Sequence, residues 1–209
     1  MITLAQRIEA LRTERGLSRP ALSQALGFPK NAAEKTKSPF RRFLIQYGKG
    51  EVPMSLFAIG DPHLSFGCQK PMDIFKGWEN HAVRLEKNWK DTVEKEDTVV
   101  LPGDISWAMN FEELLPDFQF LHSLPGKKVI LKGNHDYWWA TRNKMDQFLL
   151  RNGLDSIEVL HNSCICAEGF RLCGTRGWLF ENGQPHDEKV LAREAGRLRI
   201  SLEAAKEKE

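Results

Sequence analysis

Three short apolar runs in this chain each stop at a glycine followed by side chains able to bind a metal ion. Leu56-Phe57-Ala58-Ile59 runs into Gly60-Asp61-Pro62-His63, and Thr98-Val99-Val100-Leu101 into Pro102-Gly103-Asp104. Val129-Ile130-Leu131 runs through Lys132 into Gly133-Asn134-His135-Asp136. Short apolar runs stopped by glycine read as strands. Strand ends are where open α/β sheets place their ligands. Glycine there lets the backbone turn and lets another group approach closely. Asn134 offers a neutral oxygen, His135 a nitrogen acid or base, and Asp136 an orienting acceptor. One such strand end is common in proteins; three in succession constrain both fold and chemistry.

Asp-x-His, then Gly-Asp, then Gly-Asn-His-Asp, each after a strand, resembles the calcineurin-like metallophosphoesterases. Met54 to Glu209 is similar to one of their bacterial members, and Gly174-Thr175-Arg176-Gly177-Trp178 fits that bacterial group. The resemblance implies a two-sheet sandwich flanked by helices, with two divalent transition metal ions at the strand ends. By the same resemblance Asp104 bridges the ions, Asp61 and His63 hold the first, and Asn134 holds the second. His135 then contacts the phosphate and protonates the leaving group, with Asp136 orienting it. Mixed nitrogen and oxygen ligation suits Mn, Fe, Zn or Ni. Arg176 is expected either to fork onto substrate phosphate or to make a structural ion pair.

Two departures from the family pattern shape the expectation. Pro62 stiffens the first motif. The family's later histidines, two of them in a Gly-His-x-His motif, have no counterpart before Glu209. The sandwich is therefore expected to be incomplete at the C-terminus, the second ion weakly held, and phosphoesterase activity impaired.

Composition bears on the rest of the chain. Of 30 Lys+Arg and 28 Asp+Glu in 209 residues, ten and four fall in residues 1–53, so that stretch carries +6 and the remainder −4. A basic head on a mildly acidic body suggests segments of different origin. Residues 1–35 resemble the start of a Cro/repressor-type helix-turn-helix, with Leu4, Ile8 and Leu11 on one face and a stop at Gly16. Residues 36–53 read as a linker or non-native extension, and Met54 as a natural start of the enzyme-like body, 54–209. Two other functions compete with a phosphoesterase: a DNA-binding regulator that uses the head, and a non-catalytic metal- or phosphate-binding protein. No apolar stretch approaches the 18 residues of a membrane span, and the default compartment is a reducing cytoplasm.

Helices are expected over Met72–Val93, Phe111–Leu124, Thr141–Asn152 and Asp187–Lys206, separated by strands. In the first, Ile74, Trp78, Val83, Leu85 and Trp89 form the apolar stripe and His81 lies on the surface. Short strands are expected at Ile157–Leu160, Ser163–Ala167 and Phe170–Cys173. Alternation across Ser163–Ala167 puts Cys164 and Cys166 on one face, as buried thiols.

Overall fold

The computed structural model describes residues 54–176 and 185–207. The helix-turn-helix expected over 1–35 and the linker over 36–53 lie outside the described residues. The strand–helix alternation produces a mixed α/β fold: a four-stranded parallel sheet, a two-stranded antiparallel sheet and, among the described residues, four α-helices.

The parallel sheet runs β1 (Leu56–Ala58), β2 (Thr98–Leu101), β3 (Lys127–Ile130) and β4 (Ile157–Val159), in that spatial order. Its register sets Phe57 beside Val99, Val100 beside Val129, and Ile130 beside Val159. Parallel neighbours need a crossover. Helices α1 (His81–Lys90), α2 (Phe111–Ser123) and α3 (Arg142–Arg151) provide the three crossovers. Val99, Leu101, Val129 and Ile130 are buried to within 1% exposure, which explains why β2 and β3 read as continuous apolar runs rather than alternating ones. Because β1, β2 and β3 are parallel and adjacent, their C-terminal ends, and the three polar motifs, lie side by side.

Local signals set the helix ends. Asn110 caps α2 by accepting from the backbone N–H of Glu112 and Glu113, each at 3.0 Å. Thr141 caps α3 by accepting from Lys144 N. The long helix expected over Met72–Val93 is instead a short 3₁₀ turn, Met72–Ile74, followed by α1 from His81. Gly77 at φ +91° and Asn80 at φ +52° break the path between them, since left-handed backbone cannot continue a right-handed helix. The stripe fails with it: Ile74 is 76% exposed and Val83 64%, while Leu85 and Trp89 are buried.

The antiparallel sheet is one hairpin, β5 (Cys164–Ala167) and β6 (Phe170–Cys173). Ile165, with Leu172, packs onto Val129, Leu131 and Leu160. The last described helix, α4 (Pro185–Lys206), packs on both hairpin strands. Its buried Ser201 hydroxyl accepts from Gly174 N at 2.9 Å and donates to the Ser163 carbonyl. No helix among the described residues is long and apolar enough to cross a membrane.

Lys128 on β3 is a fully buried cation. Its ammonium donates to the Leu124 carbonyl and to Ser156 Oγ, satisfying the chain just after α2. Burial lowers the ammonium from 10.5 to about 8. The folded state thus binds this proton less tightly than the unfolded chain does, and the resulting penalty is full below pH 8. It is relieved as pH climbs from 8 to 10.5. Urea unfolding of wild type and Lys128→Met across that window is expected to show the wild type gaining up to about 3 kcal/mol relative to the variant. A pH-independent difference would reject this account.

Candidate metal centre

The β1 and β2 ends do not diverge after the strands stop. Asp61 N donates to the Gly103 carbonyl at 3.2 Å, His63 N to the Asp104 carbonyl at 3.0 Å, and Leu64 N to the Ile105 carbonyl at 2.9 Å. The two loops therefore run alongside each other, and Asp61, His63 and Asp104 converge. A carboxylate oxygen from each aspartate and an imidazole nitrogen lie within 4.8 Å of one another. All three residues have left-handed backbone, at φ 58°, 44° and 52°. Few non-glycine residues adopt it, and such strain persists where the surrounding structure enforces it, often at functional sites.

The third loop closes on the second through two glycines. Gly103 lies at φ +135°, and a Cβ there would overlap the Gly133 backbone. A Cβ on Gly133 would overlap the backbone N and carboxylate of Asp104. The close approach that glycine permits is thus between neighbouring strand ends, and it brings His135 N to Asp104 Oδ1 at 2.8 Å.

Asp136 holds this junction together. It is fully buried, and its Oδ2 accepts from Gly133 N at 2.7 Å and Asp104 N at 2.9 Å. Its Oδ1 accepts from Ile105 N at 2.8 Å and, more loosely, from Ser106 N at 3.4 Å. The carboxylate expected to orient His135 thus ties the β2 and β3 ends by their backbones. The His135 ring instead has Tyr137 Oη 3.4 Å from its Nδ1. Burial holds the Asp136 carboxyl above its ordinary range, opposed by the amides of Gly133, Ile105 and Ser106.

A second buried carboxylate, Asp117 on α2, was not among the expected site residues. It accepts from Phe66 N at 2.7 Å and from Ser106 Oγ, clipping the loops after β1 and β2 onto the helix. Burial raises its carboxyl to about 6, against the pull of Ser106 and Phe66. Its sequence signal is an acid on an apolar helical face, beside Leu114, Phe118 and Leu121. Trp107 was also missed. Its ring stacks on His63 at 4.9 Å, tilts against His135 at 4.8 Å, and donates its Nε1–H to Met72 Sδ. Of the three aromatics after the central motif, Trp138 is core, Tyr137 is exposed beside His135, and Trp139 packs on His161.

The cluster suits a divalent cation. Two carboxylates and an imidazole supply mixed oxygen and nitrogen donors with a charge of about −2. His63 Nδ1 is buried with no hydrogen-bond partner among the described residues. Desolvation lowers the His63 imidazole pKa, outweighing Asp104 and Asp61, and so favours the neutral ligand form. Desolvation and then the Asp104 charge raise the Asp61 carboxyl. With 70% of the Asp61 side chain open to solvent, the like charge is the more telling of the two. Asn134 is exposed on the same loop as His135.

Arg176, at the end of β6, has its Nε 3.8 Å from Glu194 of α4. Glu194 is buried and also takes Arg193, Arg197 and the Thr175 hydroxyl. This is the ion pair that was one of the two expectations for Arg176.

A family model described as calcineurin-like phosphoesterase matches residues 54–200. Comparison with curated proteins gives no match. Among solved structures, the crystal structure of a protein of unknown function from Aquifex aeolicus is 19% identical, covering 69% of this chain and 70% of that one, with a TM-score of 0.39.

Proposed function

Because the chain belongs to the calcineurin-like phosphoesterase family, matched over residues 54–200, we propose that it hydrolyses phosphate mono- or diesters at the Asp61–His63–Asp104 cluster, as a bacterial, cytoplasmic enzyme. The observation that carries this reading is the convergence of those three ligand atoms within 4.8 Å, on strained backbone, at adjacent strand ends. Mn, Fe, Zn or Ni bound there would acidify a coordinated water and shield the phosphate charge.

The chain's own residues do the rest. Asp61, His63 and Asp104 fix the ion, and Asp136 fixes Asp104 through its backbone N–H. His135 stands beside the cluster, its ring 5.8 Å from that of His63, and contacts the phosphate and gives a proton to the leaving oxygen. Trp107 covers one side of both rings and limits water there. Asn134 and Asp104 would hold a second ion. An exposed neutral amide plus a shared carboxylate is a poorer set than the three ligands of the first, so the second ion binds more weakly.

Two measurements test this. Hydrolysis of an aryl phosphate is expected to vanish on chelation and return with Mn; turnover indifferent to chelation would overturn the proposal. Elemental analysis after desalting is expected to find one tightly held ion per chain. Two ions retained with equal tightness would reject the weak second site.

A further inference from the structure

We propose that Cys164 and Cys173 are the site of a reversible disulfide across the β5–β6 hairpin. The inference rests on register. Glu168 and Gly169 form the two-residue turn, both with left-handed backbone, at φ 51° and 76°. That is the type I′ geometry of a tight hairpin. In such a hairpin the residues flanking the turn, Ala167 and Phe170, exchange hydrogen bonds, and the ladder alternates from there. Cys166 opposite Arg171 is then a non-hydrogen-bonded pair, Ile165 opposite Leu172 a hydrogen-bonded one, and Cys164 opposite Cys173 a non-hydrogen-bonded one again. Directly opposed residues of the last kind have Cα atoms about 4.5 Å apart, with side chains at their closest. A disulfide spans Cα separations of roughly 4.4–6.8 Å.

The competing pairings are poorer. Ile165 and Leu172 point into the core, so Cys164, Cys166 and Cys173 share the opposite face. Cys166 faces Arg171 rather than a thiol. Cys164 and Cys166, two residues apart on one strand, are separated by about 6.7 Å, at the outer limit of what a disulfide spans. Cys68 is far away in sequence, on the loop after β1, and all four residues are thiols in this structure.

Burial sets the order of events. Cys164 is 3% exposed and Cys173 half-buried. The Cys173 thiolate therefore attacks an external low-molecular-weight disulfide, forming a mixed disulfide and expelling one small thiolate. The Cys164 thiolate then attacks the Cys173 sulfur, and the second small thiolate leaves. One external disulfide is reduced to two thiols as the two cysteines are oxidised to one disulfide, so electrons and protons balance. The new bond lies one residue from Ser163 and from Gly174, the two backbone groups that Ser201 of α4 holds. Oxidation thus staples the hairpin at the place where α4 is anchored.

The test uses the full chain in glutathione buffers of graded oxidised-to-reduced ratio. Remaining thiols are alkylated after unfolding, and peptides are mapped by mass. The expected result is a Cys164–Cys173 linkage within one chain, with Cys68 and Cys166 left alkylated or carrying glutathione. Dithiothreitol reverses it, and the oxidised chain unfolds at higher urea than the reduced one. The double variant Cys68→Ser, Cys166→Ser is expected to form the same linkage, and Cys173→Ser to form no linkage at Cys164. Cys164 and Cys173 both still alkylated at ratios that already modify Cys166 would overturn the proposal. So would a linkage that joins either of them to another cysteine.

Discussion

Asp136→Asn is expected to cost this chain about 3–5 kcal/mol of stability, through unsatisfied buried amides and the loss of charge-assisted bonds. The substitution preserves shape, so no cavity contributes. What changes is the number of acceptors. Asp136 receives backbone N–H groups on both oxygens, with Gly133 and Asp104 on one side and Ile105 and Ser106 on the other. An asparagine amide has a single oxygen, so one side must turn an NH₂ towards N–H donors. The site is fully buried, and water does not replace the lost acceptor. Metal retention is expected to fall with stability, because the Asp104 backbone N–H is one of the groups released. Turnover should drop by about 100-fold even in the folded fraction, since small misplacements of catalytic groups cost that much. Urea unfolding, elemental analysis and Mn-dependent aryl phosphate hydrolysis on one preparation measure all three. An Asp136→Asn protein with wild-type stability and metal content would remove Asp136 from the role of junction between the two strand ends.

The elements that were legible from sequence are those that periodicity and punctuation control. The apolar runs before Gly60, Gly103 and Gly133 are three adjacent parallel strands; β2 and β3 are buried on both faces, whereas β1 buries only Phe57 and leaves Ala58 exposed. Helices α2 and α3 fall within a residue of their expected ends, since Asn110, Thr141 and Gly153 mark them locally. The Met72–Val93 helix was misread because a 3.6-residue stripe can be counted across Gly77, while backbone handedness cannot. The Cys164–Cys166 pair was expected to be buried on one face, yet Cys166 is exposed, because alternation gives the face and not what covers it. Asp136 was expected to orient His135, and its place as a backbone clamp was not legible. Which amides a carboxylate meets depends on neighbouring loops about 30 residues away in sequence. Asp117 comes from α2, and Trp107 follows Asp104 on the same loop but carries no ligand atom, so no spacing rule singles out either of them.

Asp104→Asn and His135→Ala are expected to separate metal binding from proton transfer. Asp104 lies where the β2 end meets both other loops. Its carboxylate shares the cluster with Asp61 and His63, while Oδ1 accepts from His135 N. Asparagine keeps the size but loses the charge, and the cluster falls from two carboxylates to one. Loss of a merely outer-shell partner already lowers metal affinity by 10–100-fold, so loss of a ligand charge should lower it by at least about 100-fold. His135→Ala removes only the ring. The backbone N–H that steadies Asp104 at 2.8 Å is still present in alanine, so the ligand geometry survives. Retained metal should therefore stay near wild type in His135→Ala, while turnover falls by about 10²–10⁴-fold, the usual worth of a positioned acid. That loss should be larger for esters with poor leaving groups, which need the proton, than for nitrophenyl esters, which do not. Equal metal content in the two variants would contradict the assignment of Asp104 as the central ligand. A His135→Ala loss that is the same for good and poor leaving groups would leave phosphate contact as its role and remove proton donation.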